Sequence, residues 1–443
     1  MKTTILILSS LFCHIVYAQT IATGERHSLV ICEDGTVMAW GNNGGGSIGQ
    51  GTSSAPFDAP ITVLNVSDAV AVGAGDGTSV ALTSIGKVWE WGEAAGSTPV
   101  LINSLSGIIA ISCGSSHSLA LKNDGSVWSW GSNYQGELGD GTNTASLIPV
   151  QVLGLTDIIA ISAKGRGNLA LKSDSTVVSW GRNTYGALGD GTTIDSNVPL
   201  LVTGLTSVSS VSAGNGYSFA IKNDGTVWGW GYNSEGEIGN GTTTESHVPV
   251  ELINLNDMVQ IYAGWYHSVG RKIDGSLWSW GSNGTGKFGT GDGASSLVPV
   301  AITTLSNANY AAPGGRHSLF LLDNGSIYSA GMNDDGQCGF TIGTLYYFDP
   351  IQVTGTCSIK VIGIKENYKS NLAPVVFPNP AENSIMVYSE WSNDISIYTV
   401  TGQLILDNIS HGSKVDISSL KAGVYLIKVE FDEQIQVARF IKK

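Results

Sequence analysis

The chain has 443 residues, of which 58 are glycine, 12 are tryptophan and only 13% are charged, with a formal net charge of −14. An apolar content of 42% excludes a disordered chain, which would lack the surface to bury. The excess of 36 acidic over 22 basic residues excludes the basic footprint that nucleic acid and anionic membranes require, and no apolar run beyond the N-terminus approaches the roughly 20 residues of a membrane span.

Lys2, an apolar stretch from Ile5 to Val16 and the small residues of Val16-Tyr17-Ala18 predict a signal peptide over residues 1–18, cleaved before Gln19. Cys13 follows the bulky Phe12, which does not suit a lipid-attachment site. The mature protein is therefore expected outside the inner membrane. Its four cysteines, Cys32, Cys113, Cys338 and Cys357, allow three full pairings and show no zinc-binding spacing.

A fifty-residue period governs the next 330 residues or so. A Trp-Gly pair recurs at Trp40, Trp91, Trp130, Trp180, Trp230 and Trp280, and a seventh copy reads Ala330-Gly331. One interval is short because copy two lacks about eleven loop residues between Trp91 and Pro99. In copy three, Ile108 to Ser112 and His117 to Leu121 read as strands, with a tight turn at Asn123-Asp124-Gly125. Val127 to Trp130 reads as a third strand, and Pro149 to Val152 as a proline-led fourth after a Gly-rich loop. Four strands per copy, seven copies and no helical periodicity predict an all-β, seven-bladed β-propeller. Runs such as Ile108-Ile109-Ala110-Ile111 then belong to inner strands buried on both faces. Ala330 and Asp174-Ser175 depart from the repeat and are expected to mark its weakest blades.

The pattern G-x-x-H-S, D-G, V-W-x-W-G, N-x-x-G-x-L-G-D-G-T and P-V resembles the regulator-of-chromosome-condensation (RCC1-like) repeat from residue 21 to about 353. The resemblance implies a seven-bladed ring. The eukaryotic namesake exchanges nucleotide on a small GTPase and binds chromatin. Residues 19–353, with 12 Lys and Arg against 27 Asp and Glu, do not carry those roles over. A secreted bacterial relative on the same scaffold inhibits a β-lactamase, so the resemblance allows an extracellular protein binder.

After residue 353 the period stops. Cys357 to Lys365 resembles a first strand and competes with Thr20 to Thr23 for the closing position in the ring. The expected organisation is a propeller over 19–365, a linker over 366–374 and a small immunoglobulin-like β-sandwich over 375–443. This last segment resembles the C-terminal sorting domain of type IX secretion substrates in Bacteroidota. The resemblance rests on Phe377-Pro378-Asn379-Pro380, Tyr398 to Gly402, Leu420 to Tyr425 with Gly423 inside, and the basic end Lys442-Lys443. It implies the type IX machinery as a partner and a secreted or surface-attached product.

Neither a Walker loop nor a His-Glu-x-x-His motif occurs in the sequence. His27, His117, His267 and His317 share one repeat slot with Thr78, Gly167 and Tyr217, an interchange that fits structural hydrogen bonds better than metal ligation. Asp34, Asp124, Asp224 and Asp274 are turn residues, and Asp334-Asp335 is a local acidic cluster. The expectation is a non-catalytic binding protein without cofactor or metal. Its variable aromatic and charged loop residues Trp265, Tyr266, Arg316, Arg26, Tyr134, Tyr185 and Tyr232 are the candidate ligand site, with Tyr346-Tyr347-Phe348 in the last loop. The ligand class is an extracellular protein, or alternatively a glycan that the protein binds or degrades.

Overall fold

The computed structural model describes residues 19–93, 95–252, 255, 258–359 and 361, then 375–377, 384–388, 394–399, 404–409, 414–421, 423–431 and 434–442. The expected signal peptide and linker lie outside these residues, as do Pro378, Asn379, Pro380, Gly402 and Lys443. The chain divides into two compact units, with the boundary between Val361 and Ile362.

Each repeat folds into one four-stranded antiparallel sheet whose strands follow chain order from the ring's interior outward, and seven such blades follow one another. Blade three comprises Ile108–Cys113, His117–Lys122, Val127–Gly131 and Ser146–Gln151. Its outer strand starts three residues before the expected Pro149. Pairing jumps from Ser129↔Val150 to Gly131↔Ser146, so Pro149 sits in an irregularity where no ladder donor is needed. The same jump recurs in every blade, which leaves each exposed outer edge blunted by a proline. In blade seven Tyr346-Tyr347-Phe348 begins the outer strand Tyr346–Gln352 rather than a loop, and Tyr347 pairs with Gly331.

The hydrophobic core is a set of wedges between neighbouring blades. Trp130 of blade three packs with Val80, Leu82 and Val88 of blade two. Trp40 of blade one packs with Leu319 and Leu321 of blade seven. All six repeat tryptophans are fully buried. Their indole N–H groups reach back to the preceding blade's long loop: Trp91 to the Ser47 carbonyl at 2.8 Å, Trp180 and Trp280 to those of Glu137 and Glu237 at 3.0 and 2.9 Å, and Trp40 to that of Gln337 at 3.0 Å. A serine of the second strand donates to the same oxygen, as Ser28 does to Gln337 and Ser268 to Glu237. Blade two has lost the loop that would supply this carbonyl to blade three. Glu90 replaces it: its buried carboxylate accepts Trp130 Nε1 at 2.8 Å, and burial raises its pKa. Ala330 removes the Trp from blade seven, yet the wedge is filled. Phe320 stands where blades two to five carry alanine and packs in the same cluster.

The histidine slot forms hydrogen bonds around the ring. His27, His267 and His317 meet Ser79, Ser318 and Ser28 of the next blade at 2.9, 2.7 and 2.7 Å, and His117 meets Asn168 at 2.7 Å. Because Ser28, Ser79 and Ser318 spend their hydroxyl hydrogens on loop carbonyls, His Nε2 carries the proton in those pairs. Nδ1 of His267 and His317 has no partner among the described residues, so a second proton there has no acceptor. Burial accordingly lowers the His27 pKa to about 4 and that of His317 to about 3.

Ile21–Thr23 takes the innermost position of blade one, and among the described residues Ile359 makes an isolated bridge to Cys32. Closure is covalent as well: Cys32 pairs with Cys357 across 325 residues, leaving Cys113 and Cys338 as buried free thiols. In the second unit, Val375–Phe377, Ser384–Tyr388 and Lys414–Asp416 form one sheet. Asp394–Thr399, Leu404–Ile409, Gly423–Phe431 and Gln434–Lys442 form the other. Ile385, Ile395, Ile397, Ile417 and Ile427 make its core. Gly423 opens the longest hairpin opposite Lys442, and buried Tyr425 donates to the Lys421 carbonyl at 2.9 Å.

Two outcomes follow from the closed ring. Cys32→Ser with Cys357→Ser should lower unfolding free energy by about 3–5 kcal/mol, since a chain loop this long has much entropy to regain; urea denaturation under non-reducing conditions measures it. Unfolded histidines titrate near 6.5, whereas the ring histidines stay neutral to about 4 and 3. Stability is therefore complete above pH 6.5 and is lost as pH falls toward 4, by about 3 kcal/mol for His27 alone. Melting curves from pH 7.5 to 4.5 should show this fall, and His27→Gln should flatten it.

Candidate functional site

Antiparallel order brings two kinds of connection to the same face of the ring: the turns from inner to second strand and the long loops from third to outer strand. Tight D-G hairpins occupy the opposite face. There Asp124 Oδ1 accepts the Ser126 amide and hydroxyl at 3.0 and 2.6 Å, and Gly125 takes a φ of 80°. In blade four Ser175 adopts the same turn at φ 66°.

The long loops are held from within. Buried Asn133 accepts the Leu138 amide at 2.9 Å and donates to the Thr142 and Thr144 carbonyls at 3.1 and 3.0 Å. Asn183, Asn233 and Asn283 repeat the arrangement. Asp140 and Asp190 accept the amides of Thr142 and Thr192 in the same loops. Each loop also leans on the next blade, as Gly141 N does on the Asn197 carbonyl at 2.9 Å. The frame is rigid, and the residues it presents are the ones that vary.

All seven candidate residues stand on this one face. Tyr185 and Tyr232 lie 4.7 Å apart, ring to ring, over Gly216. Trp265 and Tyr266 follow in blade six at 6.4 Å. Tyr266 is 42% exposed and Trp265 half-buried. Two cations that the sequence reading passed over complete this arc: Arg182 over Tyr185 at 5.6 Å and Lys287 over Tyr266 at 5.5 Å. Burial lowers the Lys287 amine to about 8. Their only sequence signal is that Arg182 and Lys287 occupy variable positions of otherwise regular loops. Tyr134 stands apart in blade three, 75% exposed.

Arg26 and Arg316 are brought together, but as part of a closed charge network. Glu25 lies 3.8 Å from Arg26 and 3.4 Å from Arg316. Asp335 binds Arg26 at 3.1 Å, and Asp334 lies 3.9 Å from both arginines. The Asp334-Asp335 pair is thus matched to guanidinium groups across the junction of blades seven and one. Among the described residues no group of three or more His, Cys, Asp or Glu converges as a metal site would.

The matched families together cover most of residues 19–443. The RCC1-like domain matches residues 94–373, a regulator of chromosome condensation (RCC1) repeat matches 19–47, and the secretion system C-terminal sorting domain matches 375–443. Among curated proteins, the RCC1 domain-containing protein RUG3 of Arabidopsis thaliana is 35% identical over 75 residues, 17% of each chain. The human E3 ubiquitin-protein ligase HERC2 is 36% identical over 84 residues, 18% of this chain and 2% of that protein. The matched segments are thus small parts of those relatives. Among solved structures, Prp20p of Saccharomyces cerevisiae superposes with a TM-score of 0.65 at 19% identity, over 74% of this chain and 88% of that one. Human WBSCR16 gives 0.60 at 23%, over 66% and 83%; both likenesses are of fold. With a seven-bladed ring built on these repeats and a tail matched to secretion, the chain belongs to the RCC1-like propeller family and ends in a type IX sorting domain.

Proposed function

We propose that this is a non-catalytic recognition protein of the cell exterior in a member of the Bacteroidota, exported through the signal peptide and then by the type IX machinery. Its propeller binds an extracellular protein through the loop face. One observation carries this reading: exposed or half-exposed aromatics that do not recur from blade to blade are gathered on one rigid face, in an arc over blades four to six. Residues required by the fold recur around the ring, as the Trp-Gly pair does; Trp265-Tyr266 do not. Tyr and Trp offer large contact area with little conformational entropy to lose. The arginines are compensated by their own carboxylates, so the aromatic arc supplies adhesion and the charged junction orients it.

Trp265→Ala with Tyr266→Ala should weaken partner binding by about 2 kcal/mol or more, roughly thirtyfold, while the melting transition is kept. The partner is first isolated from native cell-surface extract with the mature propeller, and calorimetry then compares the two forms. Unchanged affinity places the site elsewhere, a lost transition makes these aromatics core, and selective binding on a glycan array replaces the protein ligand with a sugar.

Deleting residues 375–443 should leave a folded propeller in the periplasm. Cell fractionation that still finds the truncated chain at the surface overturns the export route.

A further inference from the structure

In six of seven repeats the inner strand hands over to its turn through a glycine: Gly24, Gly75, Gly114, Gly214, Gly264 and Gly314. The fourth repeat has Lys164 there. At three of these positions the ring three residues later leaves no room for a side chain. A Cβ would stand 2.5 Å from His27 Cε1 at Gly24, 2.0 Å from His117 Cε1 at Gly114 and 2.6 Å from Tyr217 Cζ at Gly214. Blade four has exchanged the pair. Gly167 occupies the histidine slot, so no ring crowds position 164, and the space is given to a long cation.

That cation crosses the ring. Lys164 Nζ donates to the carbonyl of Thr23, in blade one, at 2.8 Å. Both residues line the central channel, which holds a cavity of about 90 Å³ walled by inner-strand residues such as Ser112, Ser162, Ser212 and Tyr262. No Asp or Glu is among the described residues of that wall. Enclosure lowers the amine to about 8, so it is mainly charged at neutral pH. The ionisable groups in its field are neutral there: Cys113 is pushed up to about 12, His27 and His317 down to about 4 and 3, and His267 well below its usual value.

An ammonium has three donors, and Thr23 takes one. Two remain, on a half-buried lysine with no carboxylate among the described residues of the wall, beside a cavity roomy enough for water. Leaving such a charge without a counter-ion is costly. We propose that Lys164 makes the channel mouth a binding site for a small oxyanion, the carboxylate or phosphate group of a small molecule, which takes the two remaining ammonium hydrogens. The site opens at the centre of the loop face and does not depend on the aromatic arc.

The test titrates the mature full-length chain at pH 7 and constant ionic strength, with chloride replaced in one arm by inorganic phosphate and in the other by acetate. Binding is read by calorimetry and by the NMR signal of the Lys164 ε-methylene, with the surface lysines Lys122 and Lys222 as internal controls. A saturable response at Lys164 alone is expected in at least one arm, and the stronger arm identifies the oxyanion. Lys164→Met should weaken it at least tenfold and Lys164→Arg should retain it. Lys164→Gly, the residue of the other six repeats, serves if the Met variant does not fold. The proposal is overturned by a non-saturable response, by equal responses at the control lysines, or by a charge-free variant that binds as the native chain does. A charge-free variant with only a lowered melting temperature makes Lys164 a strut between blades four and one.

Discussion

Everything in the ring depends on a carbonyl oxygen of each long loop being claimed by the next blade. The indole of one strand and the hydroxyl of its neighbour converge on it, as Trp280 and Ser268 do on Glu237. A buried backbone carbonyl must find donors, and here the donors belong to another repeat. No blade is complete alone, and apolar wedges form around each shared oxygen. This explains why blade three survives the missing loop of blade two: what the wedge requires is an acceptor at one point, and Glu90 places one there from an adjacent strand.

The periodic parts of this arrangement were legible in the sequence. Blade count, strand order, the D-G turns and the buried Trp-Gly positions all repeat, and repetition exposes a shared constraint. What escaped was exchange between positions that are distant or out of step in sequence. The opposing departures Ala330 and Phe320 fill one wedge, which the departure at 330 taken alone does not reveal. Lys164 and Gly167 trade places in the same way. The disulfide was out of reach for a different reason, because pairing Cys32 with Cys357 requires knowing that blade one meets the end of blade seven. The competition for the innermost strand, resolved in favour of Ile21–Thr23, turns on the same closure. Pro149 reads as a strand start, whereas the ladder skips it.

For the loop face, variability located the candidate residues but not their electrical state. Arg26 and Arg316 stand out in sequence as unpaired cations beside aromatics. Folding surrounds them with Glu25, Asp334 and Asp335, so the closing seam of the ring is also its most heavily ion-paired rim. Lys287 and Arg182, which belong to no motif in the sequence, are the cations placed over tyrosine rings.

The missing loop of blade two has a geometric consequence. Seven near-identical blades would present a partner with seven equivalent rotational settings, and a binder unable to tell them apart would dock in a mixture of poses. Truncating one rim connection cuts a single notch into that circle, and the notch supplies an origin from which the other blades are counted. The variable loop residues already distinguish the blades, and the notch adds a difference of shape at blade two, while the wedge behind it keeps its hydrogen bonds through Glu90. The ring gains that mark of orientation without giving up the contacts that close it.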